Sequence, residues 1–203
     1  QHGALAPATI KNRISYLRAA CRWAWKRHRM GEHDPGARVV APTVRNARET
    51  TVSRLQMVQL ARACEHRGVR AVIRIAFWSG MRVGEILAAE RRAGMFVLRD
   101  TKNGEPRIVP MHPIITSASR LPMPRRSEID YWWPKARETC KLTHVRLHDL
   151  RHTAATEMVN AGVDLATVGA VLGHKSHAST KRYAHHGVQR LADALAMIGR
   201  KSG

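Results

Sequence analysis

Several features common in other protein classes are missing from this 203-residue chain, and each absence closes off a function. No run approaches the roughly 18 apolar residues of a membrane-spanning helix, and no secretory leader opens the chain, so no membrane partner is expected. Cysteine is scarce: Cys21, Cys64 and Cys140 are too few and too scattered for a disulfide framework, which suits a reducing cytoplasm. There is no G-x-x-x-x-G-K-S/T loop to cradle a nucleoside triphosphate, and no acidic cluster to hold the metal ions of a two-metal nuclease. Cys140, His144, His148 and His152 fall four residues apart, like a zinc stripe. The intervening Leu142-Thr143-His144-Val145-Arg146-Leu147 is a poor helix interior, so these side chains are not expected to share one face. No metal and no cofactor are expected.

Negative charge is the scarcest commodity of all. Against 35 Lys+Arg stand only 15 Asp+Glu, a formal net charge of +20 with histidine neutral. Arginine outnumbers lysine 27 to 8, and the basic residues recur along the whole chain instead of forming one tail. With 44% hydrophobic residues the chain can bury a real core. A compact core carrying this much charge repels itself unless an anionic partner is near, and a polyphosphate is the usual counterpart. Nucleic acid is the expected partner. The chain begins with Gln1 instead of Met, which reads as a cut fragment.

Along the chain, residues 7–30 carry Ile10, Ile14, Leu17, Cys21 and Ala24 at helical spacing, with Gly31 placed to close the helix in a left-handed cap. A lone helix cannot bury such a stripe, so residues 1–36 read as the remnant of a helical domain and residues 37–51 as a linker. Residues 52–203 form the main domain. There Ser53 caps a helix to about Cys64, a second runs from about Val69 to Trp78 before Gly80, and a third from near Arg82 to Glu90. Met95–Arg99 and Arg107–Val109 are short strands around Asn103-Gly104, a two-residue hairpin signal. A proline-marked segment leads into a helix ending near Cys140. Further helices follow from His148 or Asp149 to Gly162, from Asp164 to Gly173, over Thr180–Ala184, and over Val188–Ile198. The class is mainly α with one small antiparallel sheet (α+β).

Singly, the candidate reactive residues say little; a lone His-x-x-Arg pair is expected by chance in a chain this rich in both. In order they say more. Ser79-Gly80-Met81-Arg82-Val83-Gly84-Glu85 resembles the first-arginine motif of the tyrosine recombinase, or phage integrase, family. Leu147-His148-Asp149-Leu150-Arg151-His152-Thr153 is similar to its second box, and Leu172-Gly173-His174 followed by Lys181-Arg182-Tyr183 to its third. Thr101-Lys102-Asn103-Gly104 with Arg107-Ile108-Val109-Pro110 resembles the hairpin bearing the family's lysine. Residues 30–42 resemble the end of its core-binding domain. The stretch from Glu90 to Gly94 leaves room for only a short first strand.

The resemblance implies a site-specific recombinase that cleaves and rejoins DNA through a 3′-phosphotyrosyl link, using neither metal nor ATP. Tyr183 is the implied nucleophile. Arg82, Arg151 and His174 are the implied donors to the phosphorane oxygens, chemistry to which planar guanidinium forks are suited. His148 is placed to accept the phenol proton, Lys102 to protonate the leaving 5′-oxygen, and Glu85 to orient a neighbouring side chain. Lys175, Lys181, Arg182 and His152 are candidate phosphate contacts. The implied partners are double-stranded DNA at specific sites and, for the full-length protein, three further copies in a homotetramer joined through the C-terminal helix. A cytoplasmic, nucleoid-associated bacterial protein is implied. Two rivals stay open: a type IB topoisomerase and a catalytically silent DNA-binding module.

Overall fold

A computed structural model describes residues 5–29, 31–44, 50–92, 94–99 and 106–174. The chain divides into two compact units, 1–48 and 49–203. The first is built on α1 (Pro7–His28), a 22-residue helix opened by a proline and closed by basic residues, which buries none of its side chains within the unit. Tyr16 and Trp23 are more than half exposed. The expected glycine cap is corrected: α1 ends at His28, and Arg29 itself turns left-handed (φ +48), before Gly31 does so again. The early turn lets the Trp25 indole donate to the Gly31 carbonyl at 3.0 Å. Arg18 and Arg22 reach back to the Gly36 carbonyl and the Asp34 carboxylate.

The second unit is helical around a small sheet. Helices α2 (Arg54–Ala63), α3 (Arg67–Ser79) and α4 (Val83–Ala88) lead into strands β1 (Glu90–Arg92), β2 (Met95–Leu98) and β3 (Arg107–Pro110). A 3-10 turn at Pro113–Ile115 and α5 (Thr116–Ser119) occupy the proline-marked segment, followed by α6 (Arg126–Thr139), α7 (Leu147–Asn160) and α8 (Leu165–Leu172). Ser53 opens α2 with a reciprocal capping box, its hydroxyl accepting from the Gln56 N–H while the Gln56 side chain accepts from the Ser53 N–H. Asp164 caps α8 through Thr167.

Helix α3 is the centre of the unit, with Val69, Val72, Ile73 and Ile75 wholly buried, and α2, α6 and α7 pack round it. The sheet order is β1-β2-β3, all antiparallel, with Phe96 opposite Val109 and Leu98 opposite Arg107. The short first strand that the resemblance implies between Glu90 and Gly94 is β1, three residues long, which pairs Arg91 with Phe96 and carries only Glu and Arg side chains, without the apolar alternation that marks β2 and β3. Trp133 joins the core and Trp132 stays partly exposed beside Tyr131. The run from Cys140 to Arg146 breaks between α6 and α7, so the cysteine and histidine stripe never forms one helix. No helix among the described residues is long and apolar enough to cross a membrane.

Candidate active site

The site begins where α3 stops. Gly80 turns left-handed (φ +64) and its N–H bonds the Ala76 carbonyl; a Cβ there would stand 2.8 Å from Leu172 Cδ2. After this turn Arg82 is the extended N-cap of α4. Its backbone N–H donates to Glu85 Oε2 and its Nη1 to Glu85 Oε1, both at 2.8 Å. Glu85 thus closes the helix end and fixes the Arg82 side chain, which is 31% exposed.

Glu85 is buried, and two more arginines converge on it. Arg107 reaches from β3 and donates through Nη2 to Oε2 at 2.7 Å. Arg151 Nη1, from α7, stands 3.9 Å from the same oxygen. Burial pushes the Glu85 carboxyl up, yet the Arg82 N–H, the Arg107 charge and the Arg82 guanidinium together outweigh it and hold the group below the usual glutamate range. Burial likewise draws Arg107 down from the ordinary arginine value, with the Glu85 charge opposing.

Arg151 is almost wholly buried, and it ties two helix ends together. Nη1 donates to the Gly80 carbonyl at 2.7 Å and Nη2 to the Leu172 carbonyl at 2.8 Å. A cation is well placed at helix C-termini, where carbonyls lack intrahelical donors. Its own helix is anchored by Thr153, whose hydroxyl donates to the Asp149 carbonyl and accepts from the Val52 N–H, both at 2.9 Å. Beyond Leu172, Gly173 is left-handed (φ +65) and His174 donates its backbone N–H to the Gly169 carbonyl at 2.9 Å. His148 lies one turn before Arg151 on α7, exposed, its ring 4.8 Å from that of His152.

Three guanidinium groups therefore surround one carboxylate. Such a cluster carries surplus positive charge in a partly desolvated setting, which is suited to holding the oxygens of a phosphodiester. The Phage integrase family model matches residues 114–190. Tyrosine recombinase XerD of Caulobacter vibrioides is 26% identical over 98% of this chain and 78% of its own length. Tyrosine recombinase XerC of Erythrobacter litoralis is 27% identical, over 92% of this chain and 71% of its own. Residues 114–190 therefore match the Phage integrase family, and nearly the whole chain is similar to tyrosine recombinases.

The fold agrees with that similarity. The XerH site-specific recombinase bound to difH substrate superposes with a TM-score of 0.68 at 18% identity, covering 98% of this chain and 67% of that one. The catalytic domain of bacteriophage HP1 integrase does so with 0.61 at 20% identity, over 72% and 93%.

Of the expected site residues, the structure brings Arg82, Glu85 and Arg151 together, with Arg151 holding the helix end that precedes His174. Lys102, Tyr183, Lys175, Lys181 and Arg182 lie outside the described residues, as do the Asn103-Gly104 turn and the segments 180–184 and 188–198. The residue that sequence reasoning missed is Arg107. Strand alternation carried its signal: Val109 is buried and Ile108 is exposed, so Arg107 shares the inward face with Val109.

Proposed function

We propose that this protein is a tyrosine recombinase that cleaves and rejoins double-stranded DNA at specific recombination sites. The observation that carries the reading is the convergence of Arg82 and Arg151, distant in sequence, on the single carboxylate of Glu85, with Arg151 also bonded to the turn that leads to His174. A relative of the same fold is seen on its DNA substrate before cleavage.

In the proposed reaction the Tyr183 phenol oxygen attacks the scissile phosphorus and the bond to the 5′-oxygen breaks. The phenol proton passes to His148, and Lys102 gives a proton to the departing 5′-oxygen. Arg82, Arg151 and His174 hold the non-bridging oxygens as charge develops on them. The phosphotyrosyl link keeps the energy of the broken ester, so a 5′-hydroxyl can rejoin it by the reverse step. Lys175, Lys181, Arg182 and His152 contact flanking phosphates. Residues 1–36 are the end of a core-binding domain, 37–51 a linker and 52–203 the catalytic domain. The complete protein acts as a homotetramer on DNA and is associated with the nucleoid.

The test is covalent capture. Wild-type protein is incubated in EDTA, without ATP, with a library of nicked duplexes of randomised sequence, and SDS-resistant adducts are sequenced. A recurring duplex should emerge, and Tyr183→Phe should abolish its adduct while leaving DNA binding nearly unchanged. An adduct that survives Tyr183→Phe rejects the nucleophile. Relaxation of supercoiled plasmid without exchange between two captured sites would favour a topoisomerase.

A further inference from the structure

Arg107 is used by none of the steps above, yet its side chain is held on several sides. Its side chain is only 14% exposed. Nη2 bonds Glu85, and Nη1 bonds the Val171 carbonyl in the last turn of α8. The guanidinium is pressed against the turn itself: a Cβ on Gly173 would stand 2.8 Å from Arg107 Cζ, 2.9 Å from Nε and 3.0 Å from Nη1. Its Nε is buried with no hydrogen-bond partner among the described residues. Gly173 is therefore required twice over, by its left-handed backbone and by the space that Arg107 fills.

These contacts join three pieces of chain. Arg107 stands at the start of β3, directly after the segment that contains Lys102, and faces Leu98 across the sheet. Glu85 holds Arg82. Val171 and Gly173 precede His174. We propose that Arg107 is a positioning residue that latches the hairpin strand to both the Arg82–Glu85 pair and the His174 turn, setting the active site's geometry without itself touching DNA. The inference rests on the proposed cleavage reaction for its consequence in catalysis, but the latch is a physical claim that can be read without it.

Hydrogen exchange followed by mass spectrometry reads the latch directly. In Arg107→Ala, the Gly173 and His174 amides, which donate to Ala170 and Gly169, should exchange at least about tenfold faster, with α3 amides unchanged. Unchanged exchange at those two amides overturns the proposal, whatever happens in catalysis. On the duplex captured by the wild-type protein, Arg107→Ala should slow adduct formation by about 100-fold while its affinity stays within about twofold. Arg107→Lys should recover about tenfold, since one ammonium can serve Glu85 or Val171 but not both acceptors with a fork.

Gly173→Ala keeps every charge and displaces the guanidinium, so it should slow cleavage in the same way. Combined with Arg107→Ala its loss should be clearly less than additive, because the side chain it displaces is gone and only the strain of the left-handed backbone remains. A wild-type cleavage rate in Arg107→Ala, or fully additive losses in the double variant, overturns the proposal. If the wild-type protein captures no duplex at all, the cleavage reading falls and the exchange experiment alone judges the latch.

Discussion

The arginines of α1 and those around Glu85 are the same residue used in opposite ways. Arg22 is 61% exposed and meets the 12% exposed Asp34 at 3.3 Å; Arg151 is 3% exposed and holds two carbonyls at 2.7 and 2.8 Å. Solvent screens the first pair, and surface pairs of this kind contribute little to stability. The second has left water, so each of its bonds replaces hydration that cannot be regained. A net charge of +20 counts both alike. What separates them is burial, and burial decides which arginine is fixed in a partly dry site and which supplies only a diffuse attraction.

The sharpest challenge to this contrast is Arg151→Ala. It should leave the Gly80 and Leu172 carbonyls without their donor, destabilising the second unit by about 3 kcal/mol in a urea melt. Adduct formation should fall by at least about a thousandfold. Loss of less than about 0.5 kcal/mol would place Arg151 with the surface arginines.

Glu85→Gln comes next. It keeps the shape and removes the one anion among three guanidinium groups, so we expect a loss of about 2 kcal/mol at pH 7. The pH dependence has a definite sign. The folded Glu85 pKa is held below the ordinary value of 4.5, so its stabilisation is complete above that value and is lost as pH falls through the folded pKa. The difference between wild type and Glu85→Gln should therefore shrink on acidification below about pH 4.5 and stay constant above about pH 6. A difference that persists undiminished in acid would mean the charge contributes nothing.

Gly80→Ala tests the packing beneath the cluster. Strain at φ +64 and the 2.8 Å approach to Leu172 should together cost about 1–3 kcal/mol, read as a lower Tm. The smallest expected effect is Arg22→Ala in α1, within about 0.5 kcal/mol and vanishing in high salt. A large loss there would erase the contrast from the other side.

Much of the second unit was legible because its signals are local. The Ser53 and Asp164 caps and the Gly80 and Gly173 stops each act within a few residues, and the helix ends beside them follow from them. Glu85, three residues after Arg82, was legible as an orienting group because an i,i+3 pair meets on one helix turn. Strand β1 was legible only through the family resemblance, because Glu90-Arg91-Arg92 has no apolar alternation of its own. The α1 stop was misplaced because Arg29 adopts a backbone conformation usually left to glycine.

By itself the sequence determined the mainly helical class, the order of the motifs and the family they point to, since caps, turns and apolar periodicity act over one or two turns of chain. Only the tertiary structure decided which arginines share a carboxylate. Arg151 reaches Gly80 across 71 positions and Leu172 across 21, and Arg107 reaches Val171 across 64. No local rule sets such distances; they follow from how α7, α8 and β3 pack against the end of α3, and from the requirement that every buried charge find a partner.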